Sequence, residues 1–223
     1  LVLSTLDLLP VGVFSNVSGH PTEQVPGLSP ALFTNFSQPA QNLGTSLWII
    51  EVDTDLATTQ DELLMVGSLC GSHVAVQEGV TVVDTTLGDL VGLIDSNVAI
   101  NDAGDFGFAT NTDAATTQDE VIVRYRAGGG TFEVVAREGD VAAPVGGNYS
   151  TTLEMASILN NGQVWFIGDT DLSTDFDEVA FSKNGNIAVA QEGVTVPTGQ
   201  IGAEAWDNFD LGDFSADATG TLW

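Results

Sequence analysis

The sequence predicts an all-β chain, β-propeller-like, with about four repeats of ~58 residues and four antiparallel strands in each. One of the four is expected to be split between the N- and C-termini. Three observations lead there. Residues 53–62 read DTDLATTQDE, residues 111–120 read NTDAATTQDE and residues 169–178 read DTDLSTDFDE, so Asp61–Glu62, Asp119–Glu120 and Asp177–Glu178 recur at a fixed interval. Each copy follows a glycine and an aromatic (Gly44 and Trp48, Gly104 and Phe108, Gly162 and Phe166) and precedes Glu-Gly at 78–79, 138–139 and 192–193. Between these marks the chain is rich in β-branched residues, glycine and short polar turns, with no long segment of helical period.

Taken in order, residues 1–14 read as two short strands broken at Pro10, and residues 15–30, with three prolines and two glycines, as a loop. The second unit predicts strands at 96–100, 105–109, 120–125 and 131–138. The run Asn101-Asp102-Ala103-Gly104 joins the first pair, because Asn, Asp and Gly tolerate positive φ. A Gly- and Pro-rich loop at 140–152 then leads to strands at 153–159, 163–168, 178–182 and 186–191. The end of the chain starts the pattern again at Gly220. Reading from Trp223 into Leu1 gives GTLWLVLSTLD, an echo of GQVWFIGDTDL at 162–172. The expectation is one repeat domain over 1–223, with units at about 37–95, 96–152 and 153–210 and a split unit made of 211–223 and 1–36. Pairing the two ends would leave no open sheet edge.

Charge narrows the partners. Asp and Glu number 31 against Arg124, Arg126, Arg137 and Lys183, for a net charge of −27. Such a chain repels nucleic acid and anionic membranes, and it favours divalent cations, cationic partners or plain solubility. Cys70 stands alone, which rules out an intrachain disulfide, and His20 and His73 are too few for a zinc site. No apolar run reaches the roughly 18–20 residues of a membrane-spanning helix. The chain lacks an initiator methionine, which leads us to expect a mature, exported protein on the cell surface or outside the cell.

The Asp-rich loops are the candidate sites. Asp53, Asp55 and Asp61, then Asp113 and Asp119, then Asp169, Asp171 and Asp177 place hard oxygens within single turns, as calcium requires. The competing reading is a solvated hairpin whose Asp and Thr side chains cap their own backbone. No EF-hand spacing is present, and Asn111 replaces an aspartate in the second copy. Calcium is the candidate cofactor; no other is implied. Asn16, Asn35 and Asn148 head N-glycosylation sequons. No nucleophile elbow, phosphate loop or His-containing triad is found, so no enzymatic activity is expected.

The runs AINDAGDFGF at 99–108, ILNNGQVWF at 158–166 and VAREGDVA at 135–142 resemble tandem-repeat bacterial proteins named for an Asn-x-x-Gly-x-x-Phe motif. That resemblance implies an exported, often surface-anchored β-propeller-like scaffold without a defined chemistry. The expected function is therefore a non-catalytic extracellular structural protein. Leu1, Val2, Leu3 and Leu6 would meet Thr221, Leu222 and Trp223, either within one chain as a closed ring or between chains as a head-to-tail filament. The alternative is a module that presents its acidic loops to calcium, a glycan or a basic partner.

Overall fold

The computed structural model describes residues 2–4, 10–13, 24–37, 39–42, 44–68, 70–196 and 204–207, and among these every regular element is a strand. β1 (Val2–Ser4) and β2 (Pro10–Val13) form an antiparallel hairpin, Val2 opposite Val13. Pro10 thus opens the second strand, where a missing N–H costs least. Sheet I holds β3 (Phe33–Phe36), β4 (Ala40–Gln41), β5 (Trp48–Thr54), β6 (Glu62–Ser68) and β7 (Gly71–Gln77); β3 and β4 both pair with β5. Sheet II holds β8 (Val82–Asp84), β9 (Asp89–Ile100), β10 (Phe106–Thr112), β11 (Glu120–Arg126) and β12 (Thr131–Arg137) in sequential order. Sheet III repeats it with β13 (Val141–Ala142), β14 (Gly147–Ile158), β15 (Val164–Thr170), β16 (Glu178–Ser182) and β17 (Ile187–Gln191).

The first strand of each sheet is where the structure departs from expectation. β9 and β14 start seven and six residues before the predicted 96 and 153, and the supposed loop at 140–152 contains the β13–β14 hairpin. The sequence hid this because both strands are bulged. Thr110 faces Ile94 while Phe108 faces Val98, and Gly168 faces Leu153 while Thr170 faces Tyr149, so four residues stand against two. A bulge of this kind breaks the alternating pattern that marks a strand. In sheet I the same interruption goes further, and the strand divides into β3 and β4 around Pro39.

A second departure concerns Gly44. Gly104 and Gly162 take positive φ of 81° and 75° at the turn before the aromatic strand, yet the residue 58 positions before Gly104 is Ser46, with φ 58°. Gly44 sits two residues earlier, where its N–H donates to Asn42 Oδ1 and its missing Cβ leaves space for the Asp102 carboxylate. Asn42 caps the turn and so carries Ser46 through a conformation glycine would adopt more easily.

Both faces of each sheet are buried, which explains apolar runs such as Trp48-Ile49-Ile50 and Leu63-Leu64-Met65. Ile49, Leu64 and Val76 of sheet I pack with Val91, Ile94, Phe106 and Phe108 of sheet II. Ala109, Ile122 and Ala136 on the other face of sheet II pack with Tyr149, Leu153, Phe166 and Phe181 of sheet III. The outer face of sheet I carries Phe33, Trp48, Ile50, Val52, Leu63 and Met65, and that of sheet III carries Ile167, Ala180 and Ala190 against Trp206. The sheets are stitched to one another by residues in equivalent positions. Asn101 Nδ2 donates to the Leu159 carbonyl, and Asn160 Nδ2 to the Asp102 carboxylate, both across 58 residues.

Gly67 faces Trp48 across the β5–β6 pair, and a Cβ there would stand 2.1 Å from the indole Cζ2. Because Trp48 is fully enclosed, it cannot move aside. Gly67→Ala should therefore lower stability by about 1–3 kcal/mol through overpacking. Urea unfolding monitored by Trp fluorescence checks it; an unchanged midpoint would contradict this account of the packing.

Candidate functional site: an acidic cavity between the sheets

The Asp-rich loops fold alike in all three sheets, and their aspartates divide into three roles. Asp55, Asp113 and Asp171 clamp the loop to a residue 23 positions upstream, at or next to the start of β3, β9 and β14. Their Oδ1 atoms accept the N–H of Leu32, Leu90 and Asn148 at 2.8, 2.7 and 2.8 Å. Their own N–H groups donate back to the carbonyls of the same three residues. Asn148 adds its side-chain amide to Asp171, and the two donors hold that carboxyl below its ordinary range. Asp61, Asp119 and Asp177 lie beside Glu78, Glu138 and Glu192 of the Glu-Gly pairs. Asp53 borders an open cavity between the sheets. Burial raises the Asp169 carboxyl, while a hydrogen bond from Thr152 opposes the shift.

The structure therefore does not gather the eight aspartates into common sites. Among the described residues, no three His, Cys, Asp or Glu side chains converge as metal ligands do. Of the sequon residues, Asn35 is exposed on β3, Asn148 is engaged with Asp171, and Asn16 lies outside the described residues. Leu1, Leu6, Thr221, Leu222 and Trp223 also lie outside them; Val2 and Leu3 are in β1, paired to β2.

What the fold does bring together is a cavity of about 450 Å3, bordered by Glu51 and Asp53 of β5, Glu62 at the start of β6, Asp95 of β9 and Glu120 at the start of β11. No basic residue lines it. The bulge of β9 places Asp95 here, its Oδ1 accepting the N–H of Asn97. Glu62 and Glu120 are equivalent residues doing equivalent work. Glu62 Oε2 accepts the N–H of Ile94 at 2.6 Å, and Glu120 Oε1 accepts that of Leu153 at 2.6 Å. Each carboxylate thereby reaches the bulged strand of the next sheet. Glu51 is 7% exposed and receives a hydrogen bond from Ser37 Oγ.

Five carboxyls in one cavity cannot all ionise cheaply. Burial pushes Glu51 up to about 7, helped by Asp53, Glu62 and Asp95. Burial also pushes Glu120 up to about 7; the Leu153 N–H opposes the shift and Glu138, Asp119 and Asp95 add to it. Burial raises Glu62 against the pull of the Ile94 N–H. With Glu51 and Glu120 pushed up to about 7, the cavity is only partly ionised near neutral pH.

Sequence reasoning missed Glu51, Asp95 and Glu120 as members of one site. A signal for Glu51 was present: a lone charge inside the apolar run WIIEV, on a strand buried on both faces. Asp95 had none, because its aim depends on the bulge.

The three arginines are engaged in structural bonds. Arg124, 3% exposed, donates to the Gly162 carbonyl at 2.6 Å and to Asn184, and pairs with Glu133. Arg126 pairs with Asp105. Arg137 binds Asp84 and Asp89 at 3.1 and 2.7 Å and caps the Gln118 carbonyl. Arg124 thus ties sheet II to sheet III, Arg137 joins β12 to the β8–β9 hairpin of its own sheet, and none of the three lines the cavity.

Both shifts predict stability that falls with rising pH. A carboxyl whose folded pKa exceeds its unfolded value binds more protons folded than unfolded; its contribution is complete below about 4.5 and lost as pH rises through about 7. Glu51→Gln removes a buried charge that only exists at the upper end of this window. It should raise the urea midpoint at pH 8 relative to the unsubstituted protein and leave it nearly unchanged at pH 5. Equal effects at both pH values would show that Glu51 is not the group titrating.

Compared with known proteins, the chain matches no curated protein and no solved structure. A family model does match, over residues 41–219, which takes in all three sheets from β5 onward. Its description is "Family of unknown function (DUF7453)", and this chain belongs to that family.

Proposed function

We propose that this protein is a non-catalytic, exported repeat scaffold: a β-propeller-like ring of four units, the fourth assembled from both ends of the chain. One observation carries the reading. Gly79 donates to the Val91 carbonyl and Gly139 to the Tyr149 carbonyl, each time tying the end of one sheet to the first strand of the next; Gly193 donates to Trp206 in the same way, at 2.8 Å. Trp206 also returns its N–H to the Thr195 carbonyl, as Val91 does to Thr81. A further unit begins there by the same rule. The buried outer face of sheet I, with Phe33 and Trp48 at its centre, is the surface such a unit would cover on closing. The acidity of the chain, which keeps a strand-rich surface soluble, supports a life outside the cell.

The terminal segments decide between a closed ring and head-to-tail exchange between chains, and the same strand addition serves either. Deleting residues 208–223 should expose the outer face of sheet I. We expect the shortened chain to bind a hydrophobic dye and lose its cooperative thermal transition. If it melts as the full chain does, the fourth unit is not part of the fold. Electron microscopy of the full chain then separates rings from filaments.

The acidic cavity favours a second reading, a binding module for a cation or an amine-bearing partner. It has the volume for a small ligand and carboxyls on four strands with no internal counter-charge. Calorimetric titration with calcium and with a polyamine at pH 8 should show uptake that Glu51→Gln and Asp95→Asn weaken together. No heat with either probe would leave the scaffold reading alone.

A further inference from the structure

The Glu-Gly pairs hold a feature the acidic cavity does not use. Glu78, Glu138 and Glu192 occupy equivalent positions at the ends of β7, β12 and β17, each where the last strand of a sheet passes the Asp-rich loop. Their N–H groups donate to the carbonyls of Glu62, Glu120 and Glu178. Their carboxyls in turn accept the N–H groups of those same residues. Those of Glu78 and Glu138 also take the N–H groups of Asp61 and Asp119. Even so, Oε2 of Glu78 and of Glu138 is enclosed with no hydrogen-bond partner, and Glu138 as a whole is 7% exposed. An enclosed carboxylate oxygen with no donor is costly, and native proteins rarely leave one so.

The group beside each of these glutamates is another carboxyl: Asp61, Asp119 and Asp177 lie within hydrogen-bonding reach of Glu78, Glu138 and Glu192. Two acceptors cannot bond to each other until one of them carries a proton. No positive charge is at hand. Arg137, next to Glu138 in sequence, turns its guanidinium to Asp84, Asp89 and the Gln118 carbonyl. The charged groups around the pairs are further carboxylates, Glu62 and Asp61 at the first, Glu120 and Asp119 at the second, and Glu178 and Asp177 at the third. A metal would need several more oxygens than two carboxyls provide, and no third acidic ligand converges on any pair.

We propose that in each of the three sheets the glutamate and aspartate share one proton, so that every Asp-rich loop is locked to the last strand of its sheet by a proton-dependent clamp. When that proton is lost to water, the O–H···O⁻ bond breaks and two carboxylates, the aspartate's half-buried, face each other. The loop is then held by its main-chain bonds against like-charge repulsion. Burial raises all three glutamates, consistent with the proton being kept above the usual carboxylate range. The device occurs three times in equivalent places, which allows the loops of the whole assembly to loosen over one pH interval.

Glutamine is the informative substitution, since its amide accepts at one end and donates at the other whatever the pH. The unsubstituted protein should show a melting temperature that falls between pH 5 and pH 8, by about 2–4 °C for each pair that loses its proton. In the triple variant Glu78→Gln, Glu138→Gln, Glu192→Gln that fall should shrink to what the cavity carboxyls alone produce. If the triple variant does not fold, the three single variants read the pairs one at a time. Hydrogen exchange on the unsubstituted protein gives an answer independent of any variant. After correction for intrinsic rates, the amides of Glu62, Glu120 and Glu178 should lose protection with rising pH while those of Ile50 and Phe108 keep theirs. An equally steep fall in the triple variant, or protection that does not change with pH, overturns the proposal. So does recovery of the low-pH melting temperature at pH 8 on adding calcium, which would make the occupant a metal ion.

Discussion

A sheet buried on both faces is stable only if its neighbours are held at a fixed spacing, and in this chain carboxylates that accept main-chain N–H groups set that spacing. Glu62 reaches from sheet I to Ile94 and Glu120 from sheet II to Leu153, each at the bulge in the next sheet's first strand. The N–H at a bulge is freed from the ladder and needs an acceptor from outside the sheet. A glutamate at the start of a strand has the length to supply one. The cost is a partly buried negative charge, and a charge-assisted bond to the backbone offsets it.

Much else follows from that arrangement. Carboxylates reaching across from successive sheets end near one another, and Glu51, Asp53 and Asp95 join them to make an acidic cavity without a basic residue in it. The few arginines are employed at the outer parts of the sheets, where Arg124 and Arg126 pack over the turn at Gly162 and Arg137 holds the β8–β9 hairpin. Raised carboxyl pKa values are thus a by-product of the stitching.

The Asp-rich loops show why aspartates that crowd together in sequence need not converge in space. Closely spaced aspartates read as calcium ligands because calcium needs hard oxygens in one turn. In the fold Asp55 binds the N–H of Leu32, while Asp61 turns toward Glu78 and Asp53 toward the cavity. Alternating side chains of an extended segment point in different directions, so density in sequence did not become density in space. The capping reading of these loops describes Asp55, Asp113 and Asp171, with the difference that they cap a strand 23 residues away instead of their own turn.

The sequence by itself determined that this is an all-β chain of repeated units and where the central hairpin of the second and third units falls. Those features rest on local matters: strand-forming residues, turn residues such as Asn101-Asp102-Ala103-Gly104, and an interval visible by inspection. It also placed β10, β11, β15 and β16 nearly where they lie, since each pairs in regular register with its hairpin partner. The full length of β9 and β14 was decided by tertiary structure. Their bulges break the alternation, and the partners that justify a bulge, Glu62 and Glu120, stand more than thirty residues away. The cavity was decided there too. Glu51, Asp95 and Glu120 share no motif or spacing, and only the packing of one sheet against the next brings them to the same place.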